Sequence, residues 1–233
     1  MRSYGSLPQK DADGKRSETE QAAFSSALAT MGSWYANKQA TTFSMTQLPP
    51  GWDATPYSER GWCTFERAVS ELVKESSSAG WRQLADPAIV RKVSNATGAY
   101  RSAPEPPEAF AARLARKIFT NGKSDCELVA TLYADTLAAA LGETTVLQYI
   151  ACAWGDDEVE KLAAVLPFAR RLTDLRLESN PRIGSRGFDA LAAAIGSGAA
   201  PNLKTVQCDQ ARSASTAKLR AACDALGIVV LLA

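Results

Sequence analysis

The sequence predicts an α/β fold in which parallel strands alternate with helices through its last third, and three observations carry that reading. Leu172, Leu175, Leu177 and Asn180, followed by Ile183-Gly184, stand at the spacing L-x-x-L-x-L-x-x-N with I-G after the turn. Alternating leucines mark a short strand buried on one face. The amide of a turn Asn can satisfy backbone groups that a buried turn leaves unpaired. Gly187 to Ile195 then place Phe188, Leu191, Ala192 and Ile195 at helical spacing, with Gly196 and Gly198 where the helix should stop. The same strand, turn and helix order recurs on both sides. Such a unit cannot bury its own apolar edge and needs copies stacked on it, and a helical return is the connection parallel strands require.

From the start of the chain, Ser17 with Glu20 predicts a capping box. Phe24, Leu28, Met31 and Tyr35 form the buried face of the helix that follows. Thr41 to Thr46 alternates Thr42 and Ser44 with Phe43 and Met45 and is expected to be a strand. Pro49-Pro50-Gly51 breaks the chain before Tyr57 to Leu72, YSERGWCTFERAVSEL. At about 100° per residue, Trp62, Phe65, Val69, Leu72 and Val73 make one stripe, with Glu66 on its flank. Ser76 to Pro107, serine-rich then proline-rich, reads as a flexible join. Pro106-Pro107 opens a helix carrying Phe110, Leu114 and Ile118 on one face, ended by Asn121-Gly122. Ser124 and Glu127 suit a capping box for the next helix, with Leu128, Val129, Leu132 and Leu137 before Gly142 closes it. Both helices are expected to pack on the first strand unit.

In that first unit, Leu147, Ile150 and Cys152 are matched to the inward positions Leu172, Leu175 and Leu177. Trp154-Gly155, Leu162 and Leu166 are matched to Ile183-Gly184, Leu191 and Ile195. Downstream, Leu203, Val206 and Cys208 repeat the strand, Leu219 and Leu226 continue a helix, Gly227 ends it, and Ile228 to Leu232 forms a cap. Leu147, Leu175 and Val206 are therefore expected on adjacent parallel strands facing one interior. The pattern resembles the ribonuclease-inhibitor class of leucine-rich repeat over roughly the last third of the chain, and the resemblance implies a macromolecular binding surface. The expected organisation is a segment over 1–80, a helical connector over 81–141 and repeats with a C-terminal cap over 142–233.

Charge and residue usage exclude several classes of function. Lys plus Arg number 26 against 25 acidic residues, so no net field draws the chain to nucleic acid or an anionic membrane. MRSYGSLPQK lacks the apolar core of a secretory signal and no apolar run approaches a membrane span, so the expected location is cytoplasmic. The five cysteines are odd in number and contain no C-x-x-C pair, which reads as reduced core residues. The chain has no histidine, which removes Ser-His and Cys-His nucleophile pairs and histidine-bearing metal sites. No metal and no cofactor is expected. Gly122-Lys123-Ser124 has Lys117 where a phosphate loop needs its first glycine, and reads instead as a helix junction.

The N-terminal third carries a second resemblance. Loop, helix, strand, loop and a Trp-Cys-x-x-Glu helix follow the order in the middle of a TIR (Toll/interleukin-1 receptor) domain, a flavodoxin-like fold, above all in the plant form with its W-C-L-x-E-L motif. Trp62 and Cys63 match the start of that motif and Glu66 falls where its glutamate stands. In enzymatically active members the glutamate is catalytic and NAD is cleaved between ribose and nicotinamide, so the resemblance implies that role for Glu66 with NAD as substrate. One carboxylate suffices for such chemistry, since nicotinamide leaves from a pyridinium already charged and the carboxylate stabilises an oxocarbenium-like ribose. The alternative is an ordinary glutamate favoured by the helix dipole or paired with Arg60 or Arg67. The family's first strand would lie before Ser6-Leu7-Pro8-Gln9, so the segment is expected to be an incomplete TIR-like one, similar to uncharacterised microalgal and protist proteins.

Three functions follow as expectations. An interaction or scaffold protein, of the kind found in signalling, would use strand positions pointing away from the repeat core: Tyr149 and Ala151, then Asp174, Arg176 and Glu178, then Thr205, Gln207 and Asp209. Their mixed charge fits a polar protein partner. A TIR-like NAD glycohydrolase would use Glu66. Self-association would use the open edge of a truncated sheet, whose backbone groups lack a neighbour.

Overall fold

A computed structural model of the chain describes residues 8, 10–40, 42–44, 51, 54–74, 91–92, 101–209 and 216–232. Most of the join expected at 76–107, and most of the Ser6 to Gln9 loop, lies outside the described residues. Helix α1 (Glu18–Ala36) starts on the expected box: the Ser17 hydroxyl receives the Glu20 N–H and the Glu20 carboxylate receives the Ser17 N–H. Phe24, Leu28, Met31 and Tyr35 are half-buried, while Gly32 is buried where α1 crosses a later helix. A Cβ at Gly32 would fall 1.8 Å from Thr136 Oγ1 and 2.9 Å from its Cβ, so only glycine permits that approach. Of the expected strand, β1 (Phe43–Ser44) is described, and Thr41, Met45 and Thr46 lie outside the described residues.

Helix α2 (Gly61–Ser70) follows a 3-10 turn at Tyr57–Glu59, and its Phe65 and Val69 are buried with Leu72 and Val73 beyond it, as the stripe predicts. Strand β2 (Arg91–Lys92) pairs with β1 antiparallel. Helix α3 (Pro107–Leu114) buries Phe110 and Leu114 but ends there, so Ile118 is 58% exposed rather than on the buried face. Its backbone instead bridges to the 3-10 turn: the Ile118 N–H donates to Glu59 O and the Ile118 carbonyl accepts from Gly61. Helix α4 (Lys123–Glu143) begins one residue before Ser124, so the expected box does not form. Gly122, with φ 59°, turns the chain into the helix. In its first turn Asp125 instead accepts from the Asn121 side-chain amide and from Trp62 Nε1, each at 3.1 Å. Phe110 and Tyr133 stack at 3.6 Å and join α3 to α4.

The remaining elements alternate: β3 (Val146–Gln148), α5 (Asp156–Val165), β4 (Asp174–Arg176), α6 (Ser185–Gly196), β5 (Thr205–Cys208), α7 (Ala217–Ala225) and β6 (Val229–Leu232). The four strands form one parallel sheet in sequence order. Leu147 pairs with Leu175, Leu175 with Val206 and Val206 with Val230, and the first three are fully buried. The match of Leu147 to Leu172 is therefore corrected. Leu147 stands level with Leu175, and the Tyr149 N–H bonded to Arg176 O at 2.8 Å sets Tyr149 level with Leu177. Helices α5, α6 and α7 stack in order on the sheet. The first unit also caps the second, since the Asp156 carboxylate accepts the Gly184 and Gly187 N–H groups at 2.7 and 2.9 Å.

The two edges of this sheet differ. Among the described residues strand β6 has a strand neighbour on one side only, and Val229 and Leu231 are exposed on it. At the β3 edge, buried Arg101 donates to Glu71 O at 2.8 Å, to Leu72 O at 3.3 Å and to Gln148 O at 2.7 Å. Its guanidinium lies 4.3 Å from the Tyr149 ring centroid, and its own carbonyl accepts from Trp154 Nε1 at 2.8 Å. One apolar cluster consequently runs from Phe65 to Ile228, and the boundary expected at 141 does not divide it.

Lys74 sits beside this clasp, buried, with its ammonium donating to Thr42 Oγ1 at 2.8 Å. Burial first, and then Arg101, push its pKa down from 10.5 to about 8. Unfolded, it keeps its proton to about pH 10.4, so between these values the unfolded chain binds more protons and the Lys74 contribution to stability rises with pH. The stability of the native chain minus that of Lys74→Met, from urea denaturation, should increase from pH 8 to 10. A difference that stays flat or falls would count against the assignment.

Candidate functional site

Because inward residues alternate with outward ones along each strand, three rows of side chains cross the other face of the sheet. Val146, Asp174, Thr205 and Val229 are in register in the first, and Gln148, Arg176, Gln207 and Leu231 in the second. Ile150, Glu178 and Asp209 continue it past the strand ends. Of the residues predicted for binding, Asp174, Arg176, Glu178, Thr205, Gln207 and Asp209 share this face and are half-buried.

Tyr149 does not share it, and its assignment is corrected. Its side chain is fully buried, stacked on Trp154 at 4.4 Å, with the hydroxyl donating to Leu72 O at 2.7 Å. Burial pushes its hydroxyl up to about 12. Gln148 occupies the outward position instead, a residue the sequence reading missed because it placed the first strand in the wrong register. Ala151, predicted outward as well, lies past the strand end in the turn, with φ 54°.

The polar groups on the face are not equally committed. Asp209 is held by the unit before it, accepting from the Ser179 and Asn180 N–H groups at 2.5 and 2.6 Å. Asp174 accepts the Thr173 hydroxyl at 2.6 Å. Arg176 Nε and Glu178 Oε2 differ: both atoms are shielded from solvent and neither has a hydrogen-bond partner among the described residues. Folded proteins leave few such atoms, because each costs roughly 1–3 kcal/mol unpaired.

The scaffold beneath is rigid for an identifiable reason. Asn180 is buried at the turn after β4, where its Oδ1 accepts from the Cys152 and Trp154 N–H groups, both at 3.0 Å. Its Nδ2 donates to Tyr149 O at 2.7 Å and Leu177 O at 2.8 Å. One side chain thus satisfies the turns of two units. Burial pushes the Cys208 and Cys223 thiols up to about 11, which leaves them protonated and unreactive at neutral pH. All five cysteines are free.

Glu66 lies half-buried on α2 against α1, with Tyr35 beside its carboxylate. Burial raises its pKa and the neighbouring Tyr35 offsets part of the rise. It does not pair as expected with Arg60 or Arg67, whose Nε atoms donate to Thr55 O and to Glu71 respectively. Nor does it line the cavity of about 260 Å³ bounded by Cys63, Thr64 and Arg67 of the same helix. Among the described residues no group of three or more Cys, Asp or Glu is placed to hold a metal ion, and no helix is long and apolar enough to cross a membrane. No family model, curated protein or solved structure matches the chain.

Proposed function

We propose that the chain is a protein-interaction module, a short leucine-rich-repeat array whose open sheet face docks a polar segment of a protein partner. The observation that carries this reading is the pair of shielded, unpartnered atoms at the centre of the face, Arg176 Nε and Glu178 Oε2. When these two side chains turn toward a partner that offers an acceptor and a donor, they gain hydrogen bonds that the free conformation leaves unmade. Gln148 and Gln207 flank Arg176 in register, and each amide both donates and accepts, which suits a mixed polar segment. The TIR resemblance supports NAD cleavage at Glu66 less well, since that carboxylate lies beside Tyr35 and stands off the cavity.

With the full chain as bait, Asp174→Ala, Arg176→Ala and Glu178→Ala together should abolish recovery of a partner that the unaltered chain retains. Arg176→Met alone should raise the free protein's unfolding free energy by about 1 kcal/mol, because a buried unpaired donor is removed. Partner recovery unchanged by the triple substitution removes the reading.

A further inference from the structure

The cavity beside α2 is a site of a different kind. Its walls are α2, residues 102–105, α3 and α4, and they carry Arg67, Arg113 and Lys117 against Glu71 and Glu105. The two carboxylates are the most deeply set, with side chains 2% and 15% exposed. Glu71 is fixed by Arg67 Nε at 3.1 Å and the Ser102 N–H at 3.1 Å, and Glu105 by Arg113 Nε at 3.0 Å with Lys161 Nζ at 3.7 Å.

Two of the donors left open are cationic. Arg113 reaches Glu105 through Nε, and its terminal nitrogens hold no hydrogen bond among the described residues. The Lys117 side chain is 19% exposed, yet its ammonium stands 3.8 Å from Glu59, beyond hydrogen-bonding distance. Of the wall hydroxyls, Thr64 donates to Arg60 O and Tyr133 to Glu105 O, while the Ser102 hydroxyl holds no hydrogen bond among the described residues and is open to a ligand. Two open cations beside one open hydroxyl favour a ligand whose acceptors carry charge.

We propose that this cavity binds a small phosphomonoester, with its phosphate between Arg113 and Lys117. A tetrahedral dianion accepts from several directions at once, which fits cations arriving from separate walls, whereas a planar carboxylate is satisfied by one guanidinium fork. At about 260 Å³ the cavity lies below most ligand pockets, which span roughly 300–1,000 Å³. That volume admits a glycerol-sized body and excludes a dinucleotide. Ala68, Ala103 and Pro104 supply apolar wall for the body.

Calorimetric titration of the full chain at matched ionic strength tests this with glycerol 3-phosphate, inorganic phosphate, glycerol and acetate. The expected result is one site for glycerol 3-phosphate, weaker binding of inorganic phosphate, and none of glycerol or acetate. Lys117→Gln and Arg113→Gln should each weaken the ester by about tenfold, the effect of losing one charge-assisted contact, while Arg171→Gln, at an exposed ion pair outside the cavity, leaves it unchanged. The Lys117 substitution removes only a 3.8 Å ion pair, so folding is retained and the comparison stays interpretable. The proposal is overturned by absence of ester binding at millimolar concentration, by equal binding of acetate, by inorganic phosphate binding without the ester, or by affinity unchanged in both variants.

Discussion

Asn180→Ala should remove about 4 kcal/mol or more of unfolding free energy. Four buried backbone groups lose their partner together: the N–H groups of Cys152 and Trp154 and the carbonyls of Tyr149 and Leu177. At roughly 1–3 kcal/mol for each group left unpaired, the loss approaches the entire 5–15 kcal/mol that ordinarily holds a domain together. Asn180→Asp keeps the acceptor for the two N–H groups but turns a carboxylate toward carbonyls, so it should not rescue. Urea denaturation followed by tryptophan emission measures this, since Trp154 lies at the affected turn. A loss below about 1 kcal/mol would show that water replaces the amide and that the turn does not depend on it.

Arg101→Met is the second large effect, and it acts between regions rather than within one. The guanidinium ties the carbonyls of Glu71 and Leu72, just past α2, to the carbonyl of Gln148 on β3. Charge-assisted bonds of this kind are worth more than neutral ones, and their joint removal should cost about 3–5 kcal/mol. The signature is regional. Hydrogen exchange should accelerate at residues 146–149 and at the end of α2, while α6 and α7 change little. Uniform acceleration across all helices would mean that Arg101 adds stability without linking the two regions.

How far the sequence reveals this molecule depends on how local each determinant is. The L-x-x-L-x-L-x-x-N spacing places β4, and with it β5, because alternation and the turn Asn act on the same few residues. The first unit has Cys152 where Asn180 stands in the second, and without that mark Leu147, Ile150 and Cys152 fit the spacing as well as the true register does. Tyr149 is then assigned outward, although its ring packs on Trp154 and its hydroxyl finds Leu72 from a distant segment. Arg101 carries no local signal at all: its targets are carbonyls, which any residue supplies. For the predicted sites, position was legible and partner was not. Glu66 does lie on the flank of its helix, but Tyr35 reaches it from α1, and Asp209 faces outward yet serves the preceding turn. The orphaned atoms of Arg176 and Glu178 emerge only when shielding is known atom by atom.

The contrast between the two sheet edges bears on how such a chain can change length. Inserting a duplicated strand-and-helix segment between β4 and β6 would reuse the same strand register, layer upon layer. Inserting one ahead of β3 would displace the guanidinium that three carbonyls share and expose Tyr149 and Trp154 to water. The stack therefore has a fixed origin and an extensible far side, and tandem duplication can lengthen its outer sheet face in one direction only.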